Sequence, residues 1–176
     1  MNIINVKNIA IIFSILFSCT VNAAKHGAVT AKQRDFLCAV QVKDLQEVKP
    51  LLKDVDLNFY CGPLNISPLL ASITRQDIAN KGQENNKSTE WIKLFLEYGA
   101  DPAREDILAN EYLLCEAALT NNLEAVNLLY QYGAKYIHDY ESLMNNKKID
   151  QEVKNELKRI YEQNNPKQWI TREIQK

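Results

Sequence analysis

The sequence predicts an all-α fold built from tandem helix pairs, and three observations carry that expectation. Glu90-Trp91-Ile92-Lys93-Leu94-Phe95-Leu96-Glu97-Tyr98-Gly99-Ala100-Asp101 and Glu124-Ala125-Val126-Asn127-Leu128-Leu129-Tyr130-Gln131-Tyr132-Gly133-Ala134-Lys135 share one pattern at an offset of 34, each closing on Tyr-Gly-Ala. Their apolar residues recur at helical spacing: Ile92, Phe95 and Leu96 in the first copy, Val126, Leu129 and Tyr130 in the second. Only five Gly and five Pro are spread over 176 residues, too few turn breakers for an all-β sandwich.

The first stretch reads as a leader. Lys7 precedes an apolar run from Ile9 to Phe17, and Val21-Asn22-Ala23 supplies small residues at a cleavage position. The run is short of the ~20 residues a spanning helix needs, and the pattern fits a secretory signal. Leu16-Phe17-Ser18-Cys19 resembles a lipobox, with Phe17 an awkward fit. Two outcomes stay open. Cleavage after Ala23 yields a soluble periplasmic protein. Loss of residues 1–18 with lipidation of Cys19 yields a lipoprotein, and Thr20 next to it resembles a sorting signal for the outer membrane. Either way the mature domain faces an oxidising compartment. Residues 24–32 read as a linker, 33–163 as the repeat domain and 164–176 as a loose tail.

Within the domain, Arg34 to Lys53 reads as a first helix pair. Phe36, Ala39 and Val40 turn inward on one helix, and Leu45, Val48, Leu51 and Leu52 on the other. Asp54-Val55-Asp56-Leu57-Asn58 then leads into a hairpin. Ser67 is placed to cap the next helix, with Pro68 at the position where a missing N–H costs nothing. Thr74 to Thr89 is long and polar: a helix extension with a solvated loop, or an added partner contact. Gly99 and Gly133 can take the left-handed conformation that closes a helix. Tyr140 to Asn146 reads as a short helix, and Ile149 to Gln163 as an amphipathic one with Val153, Leu157, Ile160 and Tyr161 inward.

These segments together resemble the ankyrin-repeat family. Ser67-Pro68-Leu69-Leu70-Ala71-Ser72-Ile73 is similar to the family's Thr-Pro-Leu-His-Leu-Ala-Ala start, Tyr112-Leu113-Leu114-Cys115-Glu116-Ala117-Ala118 is a weaker copy, and the Tyr-Gly-Ala endings match its helix closures. The resemblance covers about Gln33 to Gln163 and is clearest from Ser67 to Ala134. It implies an ankyrin-repeat solenoid of about three to four helix pairs, with projecting β-hairpin loops and degenerate capping repeats at both ends. It also implies a protein partner held at the hairpin tips and the exposed ends of the first helices. The matching positions are Gln41 and Val42; Leu64 and Ile66; Thr74 and Arg75; Leu108 and Glu111; and Leu119 and Thr120, with Tyr60 at the first hairpin extending the row as an aromatic anchor. Phe59 reads as filling the small core of its own hairpin.

Other classes are disfavoured. A net charge of -1 carries no basic excess for nucleic acid, and the Lys147 to Arg159 stretch is interleaved with Asp150, Glu152 and Glu156. His26 and His138 are the only histidines. Neither has a nucleophile that the sequence places beside it, and no glycine-rich phosphate loop or metal-ligand spacing occurs. The expectation is therefore no enzyme, no cofactor, no metal and no small-molecule substrate. Beyond the leader, Cys38, Cys61 and Cys115 make an odd set, with a Cys38–Cys61 bridge as one option.

Small exported ankyrin proteins are similar to some immunity partners of secreted antibacterial phospholipase-type toxins. That resemblance implies an immunity protein which inhibits a toxic effector by occluding its active site. The alternative is an envelope scaffold or stabiliser of a periplasmic enzyme; a secreted host-directed effector comes third.

Overall fold

A computed structural model describes residues 29–42, 44–61, 66–74, 85–104 and 112–165, with backbone only at 42 and 85–88. Among the described residues, four of the eight α-helices start on a side-chain cap. Thr30 and Gln33 form a reciprocal capping box: the Gln33 N–H donates to Thr30 Oγ1 (3.2 Å) and the Thr30 N–H to Gln33 Oε1 (3.0 Å). This starts α1 (Ala31–Val42), two residues ahead of Gln33. Asp44 accepts from the Glu47 N–H at 2.9 Å and opens α2 (Leu45–Val48), which runs on as a 3-10 helix (Lys49–Asp54) carrying Pro50 near its start. Ser67 caps α3 (Pro68–Ile73) through the Leu70 N–H at 3.1 Å, with Pro68 in the first turn as expected. Then come α4 (Asn85–Glu97), α5 (Leu113–Leu119), α6 (Leu123–Gln131), α7 (Tyr140–Asn145) and α8 (Gln151–Asn164).

The helix ends repeat one device. Gly99, at φ +89°, closes α4: its N–H donates to Leu96 O (3.1 Å) and the Ala100 N–H reaches back to Phe95 O (3.0 Å). Gly133, at φ +106°, closes α6 with the same two bonds, to Tyr130 O and Leu129 O, both 3.0 Å. This is a Schellman closure, and only glycine holds such φ values without a Cβ penalty. Asn121 does the same job for α5 at φ 55°. Its N–H donates to Ala118 O and the Asn122 N–H to Ala117 O.

Packing arranges the helices in two rows. Helices α1, α3, α5 and α7 adjoin in succession, and so do α4, α6 and α8. Each first helix also packs on the second helix that follows it: α1 on α2, α3 on α4, α5 on α6, α7 on α8. Between the rows lies one continuous core, in which Phe36, Val40, Val48, Ile73, Ile92, Phe95, Leu113, Leu114, Leu129, Leu157 and Ile160 are fully buried. Each such side chain stabilises the fold by about 1.5–3 kcal/mol relative to exposure.

Polar bonds stitch neighbouring pairs at their turns. The Asn58 side chain donates to Gly99 O (2.9 Å) and accepts from the Asp101 N–H (2.8 Å). Asn121 donates to Lys148 O and accepts from the Asp150 N–H, both at 2.8 Å. Buried Asn122 caps α6 through the Ala125 N–H (2.9 Å) and also donates to Thr89 Oγ1 (3.1 Å).

Three expectations, at Tyr130, Tyr161 and Leu51, need correction. Tyr130 and Tyr161 are half-buried rather than core. The Tyr130 hydroxyl donates to Gln163 Oε1 at 2.7 Å, and Tyr161 stacks on Tyr140 at 3.9 Å. A phenol at the edge of a helix pair keeps its polar tip hydrated or partnered. Leu51 is exposed, because it lines an open groove between the 3-10 helix and α1 instead of packing in the core. The β-hairpins do not appear as strands among the described residues. What remains is one isolated antiparallel bridge, Cys61–Ile66, closed by two 3.0 Å bonds. Phe59, next to that bridge, is buried as part of the main core.

Candidate functional site

The outer face of the first-helix row carries the described part of the expected partner surface. On α5, Leu113, Leu114, Cys115, Ala117 and Ala118 are buried against neighbouring helices. Tyr112, Glu116, Leu119 and Thr120 are left to face outward, at the i, i+4, i+7, i+8 positions of one stripe. Helix α3 does the same with Ile66, Leu70 and Thr74, and α1 with Arg34, Cys38 and Gln41. Adjacent packing of these three helices sets the stripes side by side.

Individual residues take distinct roles there. Gln41 is half-buried and donates through Nε2 to Ala71 O at 3.2 Å, tying the end of α1 to α3. Val42 ends α1. Thr74 and Thr120 end α3 and α5, where their hydroxyls donate to Leu70 O and Ala117 O, each at 2.9 Å. Leu119 is an open apolar group, 47% exposed. Ile66 packs on the core and pairs with Cys61 through its backbone. Half-buried Tyr60 sits beside the same bridge. Leu64, Arg75, Leu108, Glu111 and Cys19 lie outside the described residues, as does most of the 74–89 insertion.

Three residues on this face were not singled out from the sequence: Leu70, Tyr112 and Glu116. The signal was present in the four-residue step, since Ile66–Thr74 and Tyr112–Thr120 bracket Leu70 and Glu116 on a shared line. Glu116 is half-buried, and burial pushes its carboxyl above the usual range. Tyr112 is 39% exposed, with its ring 4.7 Å from that of His138.

His138 and Cys115 come close to each other, which raises the question of a nucleophile. The Cys115 thiol donates to the His138 backbone carbonyl (3.1 Å), while His138 Nε2 lies 3.5 Å from Asp139 Oδ2. The imidazole therefore does not activate the thiol. Burial pushes Cys115 up to about 11, the reverse of the lowered value that a reactive thiolate requires. Cys38 is also raised, by burial and then by the charge of Asp35, but it is only partly buried. The expected result of iodoacetamide at pH 8 is alkylation of Cys38 well before Cys115, read by peptide mass spectrometry. Faster labelling of Cys115 would contradict the burial and its effect on the thiol.

Cys38 and Cys115 carry free thiols. The Cys38–Cys61 bridge is thus not formed. Between α1 and the 3-10 helix lies a groove of about 380 Å³ lined by Lys32, Asp35, Phe36, Ala39, Leu51, Asp54 and Val55. The Lys32–Asp54 pair there, at 3.6 Å, is solvent-exposed and so contributes about 1 kcal/mol or less. Among the described residues no group of His, Cys, Asp and Glu is placed to hold a metal, and no helix is long and apolar enough to cross a membrane. No protein-family model, no curated protein and no solved structure matches this chain.

Proposed function

We propose that this chain is an exported ankyrin-type module that binds another protein, and most specifically an immunity protein that occludes the active site of a toxic antibacterial effector. The observation that carries the reading is the outer face of the first-helix row, where α1, α3 and α5 each present a partly open stripe on a rigid packed support. The tandem pairing of helices and the twin closures at Gly99 and Gly133 support the ankyrin assignment. The leader supports a periplasmic location, either soluble or held at the outer membrane through Cys19. Inhibition by occlusion needs only shape and charge complementarity, which such a face supplies without chemistry of its own.

The test begins with capture of the exported chain and its partner from the envelope of the native organism. Leu119→Asp is then expected to weaken that complex at least tenfold while leaving the far-ultraviolet CD spectrum unchanged, since an exposed leucine at an interface centre is lost without loss of core. Unchanged affinity would remove the first-helix face from the reading. Binding that leaves the partner's activity intact would turn the reading from inhibitor to scaffold, and turnover of a substrate by the purified chain alone would end it.

A further inference from the structure

We infer that the outward stripe of α5 anchors a basic side chain of the protein partner, arginine being the best fit, with the Glu116 carboxylate as its counter-charge and Tyr112 and Leu119 as its apolar flanks. This rests on the partner-binding reading and specifies the chemistry that the partner must bring.

Tyr112, Glu116 and Leu119 fall on one line four and three residues apart, so their side chains adjoin on the surface. Beneath them Leu113, Leu114, Ala117 and Ala118 are fully buried, so the stripe stands on a part of the core with no room to shift. Glu116 itself is half-buried, and among the described residues its carboxylate makes no hydrogen bond or ion pair. A carboxylate partly stripped of water and given no cation destabilises the free chain. An incoming cation removes that penalty. A guanidinium suits the place better than an ammonium, because it is more weakly hydrated, pairs with a carboxylate through two N–H groups, and lies flat on an aromatic ring. The ring of Tyr112 is held by contact with His138, with centroids 4.7 Å apart, so its orientation is set in advance.

The raised Glu116 carboxyl also fixes a sign. The folded chain holds this proton more tightly than the unfolded chain does. The group therefore costs nothing at low pH and becomes destabilising as pH rises through the carboxylate range to neutrality. Glu116→Gln should accordingly melt at the same temperature as the parent or higher at pH 7. A residue present only to hold the fold would give a lower one.

The decisive measurement is an NMR titration of the isotope-labelled protein with N-acetyl-arginine amide, using the neutral isostere N-acetyl-citrulline amide as control. The expected result is a set of amide shifts confined to residues 112–120, absent with citrulline and lost in E116Q. Equal shifts with citrulline, or the same shifts in E116Q, would overturn the inference. With the partner in hand, E116Q is expected to weaken binding on the order of tenfold to a hundredfold, the usual effect of deleting a charged hydrogen-bond partner. A partner whose affinity E116Q leaves unchanged overturns this inference and spares the broader reading, while the arginine titration gives its answer with no partner present.

Discussion

Phe95→Ala is expected to lower the unfolding free energy by about 3–5 kcal/mol, the range found when a fully buried phenylalanine leaves a cavity. Phe95 is fully buried. Its ring lies 5.8 Å from that of Phe36 on α1 and 5.7 Å, edge-on, from that of Trp91 one turn earlier. It is therefore an aromatic contact between the second helix of one pair and the first helix of the pair before it. Stability in a tandem array resides largely in such interfaces. A domain of this size holds about 5–15 kcal/mol in total, so the variant should be close to unfolding at ambient temperature. Urea denaturation followed by far-ultraviolet CD measures the loss. A loss below ~1 kcal/mol would mean that Phe95 does not sit in the packed interface described.

Gly133→Ala is the second large effect, and its comparison with Gly99→Ala makes it specific. Both glycines sit at positive φ, so any Cβ imposes backbone strain of about 1–2 kcal/mol. At Gly99 an added Cβ would meet nothing within 4 Å, whereas at Gly133 it would lie 3.1 Å from the Ala103 Cβ. Ala103 belongs to the turn after α4, so the crowding falls between the turns of adjacent helix pairs and adds about 1–3 kcal/mol. G133A is accordingly expected to cost about 2–5 kcal/mol and G99A about 1–2 kcal/mol. Equal losses in the same urea experiment would show that close approach between the two turns contributes nothing.

Those glycines also mark how far the sequence could be read. Tyr-Gly-Ala at a fixed offset announced both helix closures, and each has the left-handed glycine and the paired hydrogen bonds that the pattern requires. Ser67-Pro68 announced the start of α3 for the same reason: a cap is a bond across three residues, visible in a short window. The thirty-three-residue reach from Asn122 to Thr89 has no such window. Nor does the contact between Gly133 and Ala103.

The candidate site divides in the same way. Gln41, Ile66, Thr74, Leu119 and Thr120 were placed by alignment to a repeat, and they fall on the outer stripes or at the ends of the first helices. Glu116 and Leu70 were passed over, although the four-residue step led to them, because residue type alone does not say which flank of a short helix is covered. A Cys38–Cys61 bridge was one option that sequence spacing could not decide, and Cys38 is a free thiol on the face of α1 that carries Arg34 and Gln41.

Local rules, then, were enough for the helices, their caps and the period at which they recur, since each depends on residues within one or two turns of each other. The depth of Tyr130 and Tyr161, the half-desolvated state of Glu116 and the interlock of neighbouring turns depend on which helix lies alongside. That is set by burial summed over the whole core, and no stretch of chain carries it alone.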